Sequence, residues 1–156
     1  MNSNDKLADI LSRSHRTLKA LVSYHDLTSG NGWIPKLPAI SKLSDGEKCL
    51  GVYVNDAATL SDSVAFSSSG IYVFRSGQWD QIGFEDIVRT LVPDSKESVT
   101  GFDLLRRDGS RFRVPITGSK GGRFFDAFEV LRFVDRVLTD RKPQKGAAER
   151  VRFKQL

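Results

Sequence analysis

The hydrophobic pattern of the chain changes once, and this change constrains the fold more than any other feature. From Leu50 to about residue 116, apolar residues recur at every second position in short runs separated by glycine-containing turns. From about Arg123 to Leu138, the apolar spacing becomes helical. A period of two indicates strands with one buried face, and a helical period indicates an amphipathic helix. Several strands followed by one helix predict an antiparallel sheet closed by that helix.

The chain divides into four predicted segments. Residues 1–27 contain an amphipathic helix, predicted over 5–22, and residues 28–48 form a connector rich in proline and glycine. Residues 49–140 carry the strands and the closing helix, and residues 141–156 form a basic tail. The first helix has an apolar stripe that must be covered, most simply by the rest of the chain and otherwise by a partner or a membrane surface. The stripe consists of Leu7, Ile10, Leu11, Leu18, Leu21 and Val22.

The sequence predicts a cytoplasmic location. The first residues contain no apolar run behind a basic start, which argues against a signal peptide. No stretch approaches the roughly 18–20 apolar residues that a transmembrane helix needs. The single cysteine, Cys49, has no second cysteine with which to form an internal disulfide, and it is expected to be a small buried apolar residue rather than a nucleophile.

The excess of positive charge lies in the tail. The whole chain has a net charge of +5, and residues 141–156 account for all of it with six basic residues and one acidic residue. The basic residues are Arg141, Lys142, Lys145, Arg150, Arg152 and Lys154. Two interpretations stay open: an electrostatic arm for nucleic acid or an anionic membrane, and a disordered, solubilising end.

The last predicted hairpin, over residues 102–116, can be assigned a register from its pattern. A two-residue turn at Asp108–Gly109 would pair Leu104 with Arg113 and place both on one face. A three-residue loop over 107–109 instead sets Asp103 opposite Arg113 and gathers the apolar side chains on one face. Because a slip of one residue moves every side chain to the other face, the hydrophobic pattern favours the three-residue loop. The gathered residues are Phe102, Leu104, Phe112 and Val114.

The closing helix and this hairpin supply the candidate partner-binding residues. Phe125 and Phe133 fall on the charged side of the helix, away from the arc that is expected to meet the sheet. The arc consists of Phe124, Ala127, Phe128, Leu131, Val134 and Leu138. In the hairpin, Arg107, Arg111 and Arg113 could contact an acidic partner or phosphates. The alternative is a solvated hairpin tip in which Arg113 pairs with Asp103.

No constellation of residues predicts catalysis, a metal site or a cofactor. His15, His25 and Cys49 match no zinc-binding spacing, and no Gly-x-Ser-x-Gly motif is present. The glycine-rich segment 118–122 precedes a helix and could cradle an anion, but it lacks the spacing of a phosphate-binding loop. It is better interpreted as a linker. We therefore expect a protein that is not an enzyme.

One stretch resembles bacterial pleckstrin-homology-like and GRAM-like domains. It runs from Gly70-Ile71-Tyr72-Val73-Phe74 through Trp79-Asp80-Gln81-Ile82-Gly83-Phe84-Glu85-Asp86-Ile87, and the resemblance extends over about residues 49–140. It implies a partly open antiparallel barrel of about seven strands capped by a C-terminal helix, which binds lipid headgroups, peptides or proteins. The lipid function does not transfer, because the loop over 55–62 contains two aspartates and no basic residue that could hold a phosphate.

The sequence thus predicts an α+β, mainly β, fold of pleckstrin-homology-like type with an extra N-terminal helix. The expected function is a non-enzymatic protein-binding adaptor or regulatory module, one version being an immunity-type protein that neutralises its partner. Expected contact surfaces are an exposed sheet edge and the helix side bearing Phe125 and Phe133. The alternative is a peripheral binder of nucleic acid or anionic membrane, which would use the basic tail and the arginine-rich hairpin.

Overall fold

The computed structural model describes residues 3–28, 32–41, 43–92, 99–120 and 124–141. The helices are α1 (Ser3–Thr17) and α2 (Asp126–Arg141), and a 3-10 turn covers Phe84–Asp86. The strands are β1 (Tyr24–Asp26), β2 (Cys49–Tyr53), β3 (Val64–Ser67), β4 (Gly70–Arg75), β5 (Gln78–Gly83), β6 (Ile87–Leu91), β7 (Gly101–Arg106), β8 (Arg111–Pro115), β9 (Ser119–Lys120) and β10 (Phe124–Phe125). The prediction of an α+β, mainly β, protein with one helix at each end is confirmed.

The strands form two antiparallel sheets and a short ribbon. The larger sheet has the order β1-β2-β3-β4-β5, the smaller has the order β6-β7-β8, and β9 pairs with β10. Within the described residues these strands do not close into a barrel. Neither helix is long and apolar enough among those residues to cross a bilayer.

The main core lies between the two sheets and the two helices. Phe66 of β3 meets Phe133 of α2 edge-on at 5.6 Å between ring centres, and both side chains are fully buried. Phe102, Leu104, Phe112 and Val114 of the smaller sheet also face this core. Helix α1 packs on α2, where Arg13 donates two hydrogen bonds of 3.1 and 3.2 Å to the Asp140 carboxylate. Five residues of the apolar stripe are covered by the rest of the chain, namely Leu7, Ile10, Leu11, Leu18 and Leu21.

A second cluster of apolar side chains covers the opposite face of the larger sheet. Leu37 and Ile40 of the connector are buried there against β2, β3 and β4. The indole of Trp79 donates to the Pro38 carbonyl at 3.0 Å, and the indole of Trp33 donates to the Leu37 carbonyl at 2.7 Å. Because both faces are covered, β3 is buried at every position, as is β2 after Cys49.

A buried polar network joins the larger sheet to the start of α2. The Tyr53 hydroxyl donates to the Asp126 carboxylate at 2.7 Å and accepts the Gly118 amide proton at 3.1 Å. Burial, followed by the neighbouring Asp126 carboxylate, raises the pKa of the Tyr53 hydroxyl well above its ordinary value. A Cβ atom at Gly118 would collide with both partners, so only glycine fits this close approach.

The first helix is shorter than predicted. Its regular hydrogen bonding ends near Ser14, whose carbonyl accepts the amide protons of both Leu18 and Lys19. The chain then turns into β1, and this turn leaves the Val22 side chain 93% exposed. The prediction that Val22 belongs to the buried stripe is wrong, whereas Leu18 stays buried just beyond the helix.

The buried arc of α2 is rotated by about a quarter turn from the predicted one. The buried residues are Asp126, Ala127, Val130, Phe133, Val134 and Val137. The prediction that Phe133 lies on an exposed side is therefore wrong. The physical reason is that α2 packs against both the sheets and α1. Its buried surface is therefore wider than one that meets the sheets alone, and its centre is shifted around the helix.

Arg141 belongs to the folded body rather than to a free tail. It is the last residue of α2, its guanidinium lies 5.1 Å from the centre of the Phe84 ring, and it donates to the Ser68 carbonyl. Partial burial lowers the pKa of this guanidinium. The other five basic tail residues, within 142–156, lie outside the described residues.

The register of the last hairpin is as predicted. Asp103 lies opposite Arg113, and Leu104 opposite Phe112. Gly109 has a φ of 87°, which is the left-handed conformation that the three-residue loop requires. One-sided burial of this sheet thus determined the pairing.

The outer edge of β8 is blocked. Hydrogen bonds from Arg106 to Ser110 and from Ile116 to Thr100 show that the even-numbered residues of β8 bond to β7, so the odd-numbered backbone groups point outward. Arg75 donates to the outward Arg113 carbonyl, and Asn55 donates to the Pro115 carbonyl at 2.8 Å. Proline also has no N–H group to offer an added strand.

Candidate functional site

The outer face of the smaller sheet is the candidate site, and we call it the arginine face. It consists of two rows of directly opposite residues, Arg89–Leu105–Arg111 and Leu91–Asp103–Arg113. Because side chains alternate along strands, these six residues share one face and their neighbours Thr90, Leu104 and Phe112 point inward. Arg89, Arg111 and Arg113 are exposed, while Leu91, Leu105 and Asp103 are half-buried.

The charge on this face is unbalanced. Asp103 is its single carboxylate, and two arginines share it, Arg111 at 3.7 Å and Arg113 at 3.4 Å. Arg113 also donates to the Thr100 hydroxyl at 2.8 Å. Within the described part of the chain, no carboxylate pairs with Arg89. The face therefore presents three guanidiniums around one aspartate.

Arg89 and Arg111 keep their hydrogen-bond donors largely free, whereas Arg113 does not. The Arg111 side chain is 67% exposed and its one contact with Asp103 is long, whereas the Arg113 side chain is 43% exposed and has two partners. Exposed pairs of this kind contribute only about 0.2–1 kcal/mol, so a stronger acceptor could replace Asp103. Arg89 and Arg111 are the residues best placed to bind an external anion.

The sheet holds the face rigidly from behind. Phe112 is 5% exposed, and its ring is contacted by two guanidiniums, that of Arg75 at 4.9 Å and that of Arg106 at 5.1 Å from the ring centre. These cation–π contacts close the end of the core under the hairpin. The arginine face is therefore carried by packed strands rather than by a mobile loop.

Arg107, predicted as a contact residue, lies at the hairpin tip and not on this face. Its Nε donates to the Glu85 carbonyl at 2.7 Å, and its amide donates to the Asp86 carbonyl at 3.1 Å. It joins the tip to the 3-10 turn. Arg107 is exposed, so it can still contribute positive charge at the margin of the site.

The structure separates the two predicted phenylalanines from the arginines. Phe133 is buried in the main core, which removes it as a contact residue of the folded chain. Phe125 is half-buried and packs against Phe128, with 6.4 Å between ring centres. These side chains do not form one surface with Arg111 and Arg113.

Sequence reasoning missed Arg89, Leu91 and Leu105. Arg89 and Leu91 lie on β6, and Leu105 comes directly before the basic cluster on β7, so only cross-strand pairing brings the three together. The signal that could have found Arg89 and Leu91 is the alternation along β6, but β6 contains a register shift between Ile87 and Arg89 that disturbs it.

His15 is not arranged to activate the hydroxyl that it contacts. His15 Nε2 lies 2.9 Å from the Thr28 hydroxyl, and that hydroxyl donates to Asp26 at 2.7 Å. Since the hydroxyl proton points to Asp26, His15 must donate to Thr28, whereas a general base would have to accept its proton. Across the described ranges, no group of three or more metal-ligating side chains converges.

Cys49 is poorly suited to act as a nucleophile. It is half-buried at the start of β2, and burial raises the pKa of its thiol to about 11. A thiol reacts as its thiolate, so this group is largely unreactive near neutral pH. The anion cradle considered for residues 118–122 extends outside the described residues.

Comparison of the chain with protein-family models, curated proteins and solved structures finds no match.

Proposed function

We propose that the chain is a non-enzymatic protein-binding module, an adaptor or regulatory protein, whose arginine face contacts an acidic surface of a partner protein. The observation that carries this proposal is the composition of the face, in which half-buried Leu91 and Leu105 lie among exposed Arg89, Arg111 and Arg113. Protein interfaces are enriched in arginine and combine apolar contact with a charged margin. An immunity-type protein that neutralises its partner is one specific form of this function.

The strand order supports a pleckstrin-homology-like arrangement as part of the proposal. Strands β2 to β5 form four members of one sheet, β6 to β8 form the other sheet, and α2 follows. Apart from β1 and the short pair β9–β10, this is the order of about seven strands and one closing helix that the sequence resemblance implies. Such scaffolds bind through their surfaces, and the specific site must come from the residues on them.

Paired charge reversals test the proposal. We expect the variant Arg89→Glu/Arg111→Glu, in full-length tagged chain expressed in its native cells, to capture its partner at least about tenfold less than the unchanged chain. The matched control is Arg132→Glu/Arg136→Glu, which makes the same charge change at exposed positions of α2 and should retain capture. Equal capture by all three proteins would contradict the proposal.

Salt dependence and truncation separate the alternative function, which uses the basic tail and the arginine-rich hairpin. Binding to nucleic acid or anionic membrane through residues 142–156 would fall steeply with salt and would disappear on truncation after Arg141. Capture that survives this truncation and is lost in the Arg89/Arg111 variant favours protein recognition by the arginine face.

A further inference from the structure

We propose that an amphipathic helix of the partner binds the arginine face and lies across its three strands. This helix carries two acidic residues seven positions apart, with an apolar residue between them. This inference rests on the proposed function and names the chemistry of the partner. It comes from the row Arg89–Leu105–Arg111, in which the two least constrained guanidiniums flank a half-buried leucine.

The spacing of the row matches that of a helix. Arg89 and Arg111 lie on the two outer strands, so their backbones are separated by two strand spacings, about 9.6 Å. Residues seven apart on a helix are separated by about 10.5 Å along its axis and lie on nearly the same side. A helix crossing the strands at a steep angle therefore brings one carboxylate to each arginine.

The centre of the row selects an apolar residue. Leu105 is half-buried and has an arginine on either side. A side chain of the partner helix that lies above Leu105 therefore contacts a leucine, although both neighbouring positions are charged. On the partner helix, the residue three or four positions after the first acid faces this point. An apolar residue there removes the exposed part of Leu105 from water.

Asp103, in the second row, determines where acidic residues of the partner helix are favourable. Asp103 lies in the middle of that row, between Leu91 and Arg113, and would repel an acidic residue placed in the centre of the interface. Acidic residues are therefore favourable at the two ends of the helix footprint and unfavourable at its middle. This pattern distinguishes the proposed helix from a uniformly acidic segment.

Other occupants fit the face less well. A single phosphate held between Arg89 and Arg111 would lie over Leu105 and would place its charge against an apolar side chain. An added strand would pair with backbone groups at a sheet edge, but the face offers side chains and the β8 edge beside Arg111 is blocked by Arg75, Asn55 and Pro115. The observations favour a helix over a strand or a phosphate group.

The test uses a synthetic alanine-rich helical peptide with two glutamates seven residues apart and a leucine four residues after the first. Its binding to the full chain is measured by fluorescence anisotropy and compared with two isomers of the same composition. In one the second glutamate is moved to the opposite side of the helix, and in the other a glutamate and the leucine exchange places. We expect both isomers to bind at least about tenfold more weakly.

A charge exchange completes the test. A peptide with lysines in place of the two glutamates should bind the Arg89→Glu/Arg111→Glu variant and not the unchanged chain. Equal binding of the three isomers, absence of binding, or failure of the exchange would overturn the helix inference. If partner capture still depends on Arg89 and Arg111 in that case, the proposed function stands and only the helical occupant is wrong.

Discussion

The two sheets of this protein are built from similar strands but are covered differently. The larger sheet has the main core on one face and the connector on the other, so β2 and β3 are buried almost throughout. The smaller sheet has the core on one face only, and β8 alternates between exposed and buried residues. The difference shows that the connector covers the outer face of the larger sheet, whereas the outer face of the smaller sheet stays exposed to solvent.

The uncovered face of the smaller sheet carries the proposed site. The outer face of the larger sheet buries Tyr72, Val52 and Ala65 under the connector, whereas the corresponding face of the smaller sheet leaves Leu91 and Leu105 half-exposed among arginines. Apolar side chains that the chain itself does not cover are the ones available for contact with another molecule.

The largest effect is expected when the cover of the larger sheet is weakened. Leu37→Ala removes a buried connector side chain and should lower the free energy of unfolding by about 2–5 kcal/mol, comparable to the about 3–5 kcal/mol expected for Phe66→Ala in the main core. Urea denaturation followed by fluorescence measures both. The matched control is Leu43→Ala, at an exposed leucine, which should change stability by less than about 0.5 kcal/mol. A negligible effect of Leu37→Ala would mean that the connector does not cover the sheet.

A smaller effect is expected from the polar groups on the two faces of the same sheet. Tyr53→Phe leaves the buried Asp126 carboxylate without its donor and should cost about 1–3 kcal/mol. Tyr72→Phe should cost only about 0.5–1.5 kcal/mol, because Glu47 keeps its hydrogen bonds from the Ser44 amide and the Ser67 hydroxyl. Thermal unfolding of both variants checks the order, and the reverse order would contradict the account of the Tyr53 network.

Near neutral pH the smallest effect comes from Cys49, beside the connector, whose contribution to stability changes only at high pH. Burial raises the pKa of its thiol to about 11, so the native state holds this proton more tightly than the unfolded state. The resulting stabilisation is complete below the pKa of the unfolded thiol and is lost as the pH rises towards 11. Alkylation by iodoacetamide at pH 8 should be about 100-fold slower in the native protein than in urea. Equal rates would show that the connector leaves Cys49 accessible.

The sequence was informative where one face of an element is buried and the other is not. The register of β7 and β8 could be predicted because the alternation of Phe102, Leu104, Phe112 and Val114 allows only one pairing. In the larger sheet the alternation is lost under the connector. Its covering residues, Leu37 and Ile40, have no regular period because the segment runs irregularly between prolines.

The candidate site was predicted only in part for the same physical reason. Arg111 and Arg113 belong to one short basic cluster that is visible along the chain, whereas Arg89 joins them only through the pairing of β6 with β7 and β8. Phe133 was assigned to the wrong side of α2 because a helical pattern shows which residues are apolar but not that two neighbours bury them.

The sealed edge of β8 limits the growth of the smaller sheet on that side. Arg75 and Asn55 occupy the outward carbonyls of Arg113 and Pro115, so a second copy cannot add a strand there. Under the proposed function, recognition through a flat array of side chains therefore gives a complex of defined stoichiometry rather than a continuous sheet.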